Sequence, residues 1–169
     1  MISSKPMKRT VMVKKQINPK ISIAKRCNRV ILPSEKTGLM CGVSGSINFQ
    51  LPERRLQSLM HHRGPDDQQG WNDGKLHFFH FRLSIVDISG GIQPMHLDNR
   101  YHIIFNGEIY NHKEIREAEQ LRGTTSSDTE TLLLLYRKMG MRMLDLLEGM
   151  FVFALYDDQE DRLIIARVS

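Results

Sequence analysis

Apolar and polar positions along the chain follow two rhythms. In "CGVSGSINF" (41–49) a period of two sets Val43, Gly45, Ile47 and Phe49 on one side, which predicts a strand. "PERRLQSLMHH" (52–62) opens on Pro52 and repeats apolar residues at Leu56, Leu59 and Met60, a short helix. "RGPDDQQGWNDGK" (63–75) is rich in turn residues. "LHFFHFRLSIV" (76–86), full of aromatic and β-branched residues, reads as a strand, "DISGGIQPMHLDN" (87–99) as an ordered loop and "YHIIF" (101–105) as another strand. "NHKEIREAEQL" (111–121) predicts a polar helix and "SDTETLLLLYRKMG" (127–140) an apolar one, with Ser127 and Glu130 as a capping box and Gly140 as a stop. "MRMLDLLEG" (141–149) is a short helix. "MFVFALYDDQEDRLIIAR" (150–167) is a hairpin around the acidic turn Asp157–Asp161. Strands come first, helices sit in the middle and strands return, which is the order of a layered α+β fold and not of a βαβ repeat.

Charge divides the chain where periodicity begins. Residues 1–39 hold ten Lys/Arg and one acid, Glu35, a net of +9; residues 40–169 hold 14 basic and 18 acidic residues, a net of −4. The overall +5 therefore describes the leading segment, and a nucleic-acid reading from net charge alone is an averaging error. That segment, without aromatic residues or sustained periodicity, is expected to be a disordered tail. It has three possible origins: a targeting or nucleic-acid-binding tail, a propeptide, or upstream sequence translated from a misplaced start. The last two are favoured, because "MCG" at 40–42 makes sense as a beginning. A chain of 169 residues holds one ordinary domain, read here as residues 40–169. Two cysteines, Cys27 and Cys41, exclude a disulfide framework and suit a reducing, cytoplasmic compartment. No apolar run approaches the ~20 residues that span a bilayer, and no secretory h-region is present.

Five stretches can carry chemistry: "MCG" (40–42), "HHRGPD" (61–66), "FRLSIVD" (81–87), "FNGEIYN" (105–111) and "SSDTE" (126–130). Cys41 is either a small buried residue at a strand start or, as a terminal residue, a thiol nucleophile whose proton passes to its own α-amine, with a pKa near ~8. Arg82, in an otherwise apolar strand, either snorkels to water or forks a substrate carboxylate. Asn106-Gly107 is either a hairpin turn or a pair of donors, side-chain amide and backbone N–H, for an oxyanion. Glu108 and Asp128 are either solvated acids, Asp128 serving its helix N-terminus, or a pair that holds a substrate ammonium. His61, His62, His77 and His80 lack metal-ligand spacing and are read as structural.

Taken in order, "HRGPD", "RLSIVD", "QPM", "FNGEIYN", "SDTE" and "GMFVFALYD" resemble the glutamine amidotransferase (class II, N-terminal-nucleophile) domain of the asparagine synthetase family, from Met40 almost to the end. The resemblance implies a four-layer αββα sandwich of two antiparallel sheets. It implies that Cys41 attacks the amide of glutamine to give a thioester and ammonia, with Asn106 and Gly107 stabilising the oxyanion. Arg82 would bind the α-carboxylate, the backbone of Leu83, Ser84, Ile85 and Val86 would line the site, and Glu108 and Asp128 would bind the α-amine. Ammonia would pass to a synthetase domain or subunit, with ATP and magnesium used by that half and no cofactor or metal in this one.

Three departures from the family pattern shape the expectation. Cys41 is internal; the chain runs "ARVS" and stops, which predicts a C-terminally incomplete domain with an unpaired sheet edge; and no Ser-Gly-Gly-x-Asp-Ser loop of an ATP-using domain occurs. The expected function is therefore a glutamine-hydrolysing module whose ammonia goes to aspartate. The alternative is a non-catalytic fragment of the same fold that binds glutamine or a partner. A nucleic-acid-binding leader is the weakest reading, and a membrane partner is excluded.

Overall fold

The computed structural model describes residues 21–22, 29–32, 41–48, 52–61, 67–82 and 92–168. Nine strands and three α-helices follow in chain order: β1 (Ile21–Ser22), β2 (Arg29–Leu32), β3 (Gly42–Ile47), α1 (Glu53–Met60), β4 (Asp67–Asn72), β5 (Leu76–Arg82), β6 (Met95–Leu97), β7 (Tyr101–Ile109), α2 (His112–Ala118), α3 (Asp128–Met139), β8 (Gly149–Asp157) and β9 (Arg162–Val168). A 3-10 helix, Gly140–Asp145, follows α3. The strands form two antiparallel sheets, one ordered β1-β9-β8-β7-β6 and the other β2-β3-β5-β4.

Side-chain alternation along the strands separates three buried layers. Tyr101, Ile103 and Phe105 of β7, with Phe151, Phe153 and Leu155 of β8, face Ile115 of α2, Leu132, Leu133 and Leu135 of α3, and Met143 and Leu144 of the 3-10 helix. Ile104, Ala154, Tyr156 and Leu163, from the opposite face of the same sheet, meet Val43, Leu76 and Phe78 of the other sheet. Phe79 and Phe81, on the outer face of β5, are covered by Leu56 of α1. Helices, sheet, sheet and helix thus stack in four layers, the α+β sandwich that the motif order implied.

The sequence expectations for β3, β5, the two long helices and the C-terminal hairpin hold within a few residues. Five details differ. Asp67–Asn72, inside the turn-rich stretch, is the edge strand β4, paired with β5 over six residues. Met95–Leu97 is a strand and not a loop. Leu59 points out, 53% exposed, leaving Leu56 to anchor α1. Six residues of the basic leader lie in β1 and β2, where the sequence suggests no element. The expected unpaired edge is met by β1 only at Arg167 and Val168 of β9, and among the described residues no strand pairs the outer edge of residues 162–166. Phe49, His62 and Cys27 lie outside the described residues.

Candidate functional site

Register and one ion pair determine which strand ends share a site. Gly42 of β3 pairs with Phe81 of β5, and one step further sets Cys41 opposite Arg82 at the same end of that sheet. At the other end, Lys75 precedes β5 and forms an ion pair with Asp161 in the β8–β9 turn. Its ammonium also lies 5.4 Å from the Tyr156 ring centroid. Tyr156 pairs with His102, near the start of β7. Lys75 therefore pins the start of β5 over the start of β7, and the aligned packing usual for two stacked sheets then carries the Cys41–Arg82 end toward the Asn106–Ile109 end. Cys41 is half-buried at the mouth of β3.

Asn106 and Gly107 do not form a hairpin. Both lie inside β7, opposite Val152 and Phe151 of β8, and the chain turns only after Ile109. The hairpin alternative is overturned because nine consecutive residues of β7 find partners on β8, which outweighs a local turn preference. Asn106 is buried, and alternation with Ile104 directs it toward the other sheet. Gly107 has φ +128°, and a Cβ there would stand 2.1 Å from the carbonyl oxygen of Met150 and 2.6 Å from Cα of Phe151. Gly149 answers it on β8, where a Cβ would stand 2.1 Å from the Glu108 carbonyl oxygen. The two glycines let the strands approach closely where the main chain borders the site.

Asp128 opens α3 beside this end of β7. Its Oδ2 accepts the N–H of Ile109 at 3.2 Å and its Oδ1 that of Thr129 at 2.8 Å. Burial pushes its carboxyl above the usual carboxylate range. The two N–H donors and nearby His112 pull it down, and the like charge of Glu108 raises it further. Two acids, Asp128 half-buried and Glu108 exposed, thus stand close enough to repel one another, a place suited to a cation. Asp128 owes its position to the loop before it. Glu130 accepts hydrogen bonds from the N–H and hydroxyl of Thr124, the N–H and hydroxyl of Thr125, and Arg116. Arg116 also donates to the carbonyls of Thr125 and Ser127 and to Oγ1 of Thr131. The expected capping box is therefore only half formed. Ser127 Oγ accepts the Glu130 N–H at 3.2 Å, but the Glu130 carboxylate reaches back to Thr124 and Thr125. Burial opposes ionisation of Glu130, yet these donors outweigh it and hold its carboxyl down at about 2.

Cys41, Arg82 (by its backbone), Asn106, Gly107, Glu108 and Asp128 thus gather at one end of the sandwich, whereas Leu83, Ser84, Ile85 and Val86 lie outside the described residues. A cavity of about 170 Å³ between α1 and the β4–β5 edge, lined by Glu53, Gln57, Gln68 and His80 among others, contains none of them. His77 is buried in β5, with no hydrogen-bond partner for either ring nitrogen among the described residues. Among those residues no three His, Cys, Asp or Glu side chains are grouped to hold a metal ion. The parts that Arg116, Glu130 and Gln93 play in placing these groups leave little mark in the sequence. Glu130 was legible only as a capping acid, and a lone Gln before Pro carries no periodic signal.

Comparison with known proteins agrees with the motifs. The sequence profile of a glutamine amidotransferase domain matches residues 40–168. Asparagine synthetase B [glutamine-hydrolyzing] of Escherichia coli (strain K12) is 38% identical over 138 residues, which cover 76% of this chain and 25% of that protein. Asparagine synthetase [glutamine-hydrolyzing] 3 of Bacillus subtilis (strain 168) is 38% identical over 141 residues, 76% of this chain and 23% of that protein. Asparagine synthetase [glutamine-hydrolyzing] 1 of Saccharomyces cerevisiae is 36% identical over 137 residues, 76% of this chain and 24% of that protein. The chain spans about a quarter of the length of these relatives. With a profile match across most of its length and the motif residues gathered at one end of a four-layer sandwich, the chain belongs to the glutamine amidotransferase domain family.

Proposed function

We propose that this chain is the glutamine-hydrolysing module of an asparagine-synthetase-like amidotransferase, releasing ammonia for transfer to aspartate by a synthetase domain or subunit in the cytoplasm. The observation that carries the reading is the gathering of thiol, neutral donors and paired carboxylates at one end of the sandwich. Glutamine presents a carboxylate, an ammonium and an amide, and the arrangement offers a counterpart to each. Arg82 pairs with the carboxylate; Asp128 and Glu108 pair with the ammonium. The Cys41 sulfur attacks the amide carbon while its proton moves to the Cys41 α-amine. The Asn106 side chain and Gly107 N–H hold the oxyanion, and one such donor is worth roughly 10²–10³ in rate. The C–N bond then breaks, the leaving nitrogen takes the proton and departs as ammonia, and water cleaves the thioester to glutamate. No cofactor enters these steps; ATP and magnesium serve the synthetase half. This chemistry requires Cys41 to carry a free α-amine, with residues 1–40 removed, since an amide nitrogen cannot accept the thiol proton.

The test uses the full chain. N-terminal sequencing establishes whether the protein begins at Cys41, glutamate release is measured from glutamine, and a diazoketone analogue of glutamine is offered as a trap. A Cys41 N-terminus, hydrolysis and an adduct on Cys41, all abolished in Cys41→Ala, are the expected results. Hydrolysis that persists with Leu39 and Met40 attached overturns the role of the amine. Glutamine binding without hydrolysis or adduct establishes the alternative, a non-catalytic binding fold. That alternative suits the intact chain, in which β2 pairs with β3 and Cys41 is held in peptide linkage.

A further inference from the structure

Gln93 lies two residues before β6, beyond the last backbone pair that β6 makes with β7. In the β6–β7 pairing Met95 faces Ile103, so two residues earlier position 93 faces Phe105. Pro94 intervenes and offers no N–H, and β6 begins only at Met95. The Gln93 side chain takes over: its Oε1 accepts the Phe105 N–H at 2.6 Å. Its Nε2 turns the other way and donates to Oγ1 of Thr129 at 3.4 Å, a long bond whose two partners are both buried. Phe105 immediately precedes Asn106, and Thr129 immediately follows Asp128. One buried carboxamide therefore joins the strand that carries the amide-binding donors to the helix end that carries the ammonium-binding acid.

We infer that Gln93 is a positioning residue that sets the spacing between Asn106 and Asp128, and so matches the site to the distance between the side-chain amide and the α-amine of glutamine. The inference rests on the proposed glutamine site. A polar, directional link between a strand and a helix of different layers adds a constraint that the non-directional hydrophobic effect does not itself supply. Asp128 itself provides one tie, to the Ile109 N–H; Gln93 provides the second, on the other side of Asn106. Two ties fix an angle where one fixes only a distance.

Calorimetric titration of the full chain with glutamine, every protein carrying Cys41→Ala so that the ligand is not consumed, tests this. The variants are Gln93→Met, which keeps volume and loses both hydrogen bonds, and Thr129→Val, which loses one. Each should weaken binding by about two- to tenfold, the worth of one hydrogen bond, with Gln93→Met the weaker binder. A merely structural residue would lose the same factor in any background. A positioning residue should lose little once its target is disabled, so Gln93→Met combined with Asp128→Asn should bind within about twofold of Asp128→Asn alone. Binding by the Cys41→Ala chain with unchanged affinity in both variants, or losses that multiply in the double variant, overturns the inference and leaves the glutamine site standing. Absence of glutamine binding by the Cys41→Ala chain overturns both. If Gln93→Met fails to melt cooperatively, Thr129→Val with the same Asp128→Asn cycle decides.

Discussion

Replacing Gly107 by alanine should be far more costly than the methyl group it adds. The cost has two parts. At φ +128° an L-residue sits outside its comfortable backbone regions, a strain of about 1–3 kcal/mol. The new Cβ would also stand 2.1 Å from the Met150 carbonyl oxygen, where ordinary contact begins near 3.4 Å. Because the obstacle is backbone, the two strands must part by about 1 Å, which stretches roughly two ladder hydrogen bonds out of range at about 1 kcal/mol each. The sum, about 3–5 kcal/mol, is a large share of the ~5–15 kcal/mol that holds a domain of this size together. Gly74→Ala separates the two parts: φ there is +90°, but nothing lies within 4 Å of the added atom, so only the strain remains. Urea unfolding followed by circular dichroism gives both midpoints and slopes. Gly107→Ala should lose at least about 2 kcal/mol more than Gly74→Ala. Equal losses would show that the β7–β8 crossing tolerates a side chain and that close approach does not explain the glycine.

Further outcomes follow from the charges. Asp128→Asn should weaken glutamine binding by about tenfold or more in titration calorimetry, the scale of a hydrogen bond to a charged group, without lowering the thermal midpoint, because the raised carboxyl disfavours its own charge in the folded state. Glutamine binding should also weaken on acidification earlier than an ordinary carboxylate would dictate. Glu130 has the opposite sign: depressed from 4.5 to about 2, it stabilises the fold above its unfolded value and loses that contribution as pH falls toward 2. Glu130→Gln should lose about 2–3 kcal/mol at pH 7 in urea unfolding and flatten the acid limb between pH 5 and 2. His96 and His102, whose Nδ1 atoms are 2.7 Å apart, are both lowered, chiefly by burial. Each contributes stability above about 6.5 that is lost as pH falls through the lowered values, so His102→Gln should reduce the pH dependence of the melting temperature below 6.5.

Much of this architecture is legible in the residues, and the exceptions have physical causes. β5 and β8 announce themselves because most of their residues on both faces are buried, so apolar and aromatic residues dominate them. β4 is hidden because it is an edge strand with half-exposed positions, where Gln, Gly and Asn are tolerated and no alternation builds up. β6 is three residues long, too short for any period. Asn106-Gly107 carries the strongest local turn signal in the chain, and tertiary pairing overrides it. At the site, the residue types with distinctive chemistry are visible one by one. The residues that place them, Arg116, Glu130 and Gln93, are not, because a hydrogen bond between segments 12 to 36 positions apart leaves no mark on the order of residues.

Odd-numbered residues of β7 belong to the helical core and even-numbered ones to the space between the sheets. Inserting or deleting one residue anywhere between Tyr101 and Phe105 would exchange these assignments: Phe105 would be delivered to the space between the sheets and Asn106 would be sealed beneath α3. Two residues, by contrast, would restore the parity and merely shift the donors along the strand. Evolution can lengthen the loops at either end of this strand freely, but the strand itself can change length only in even steps.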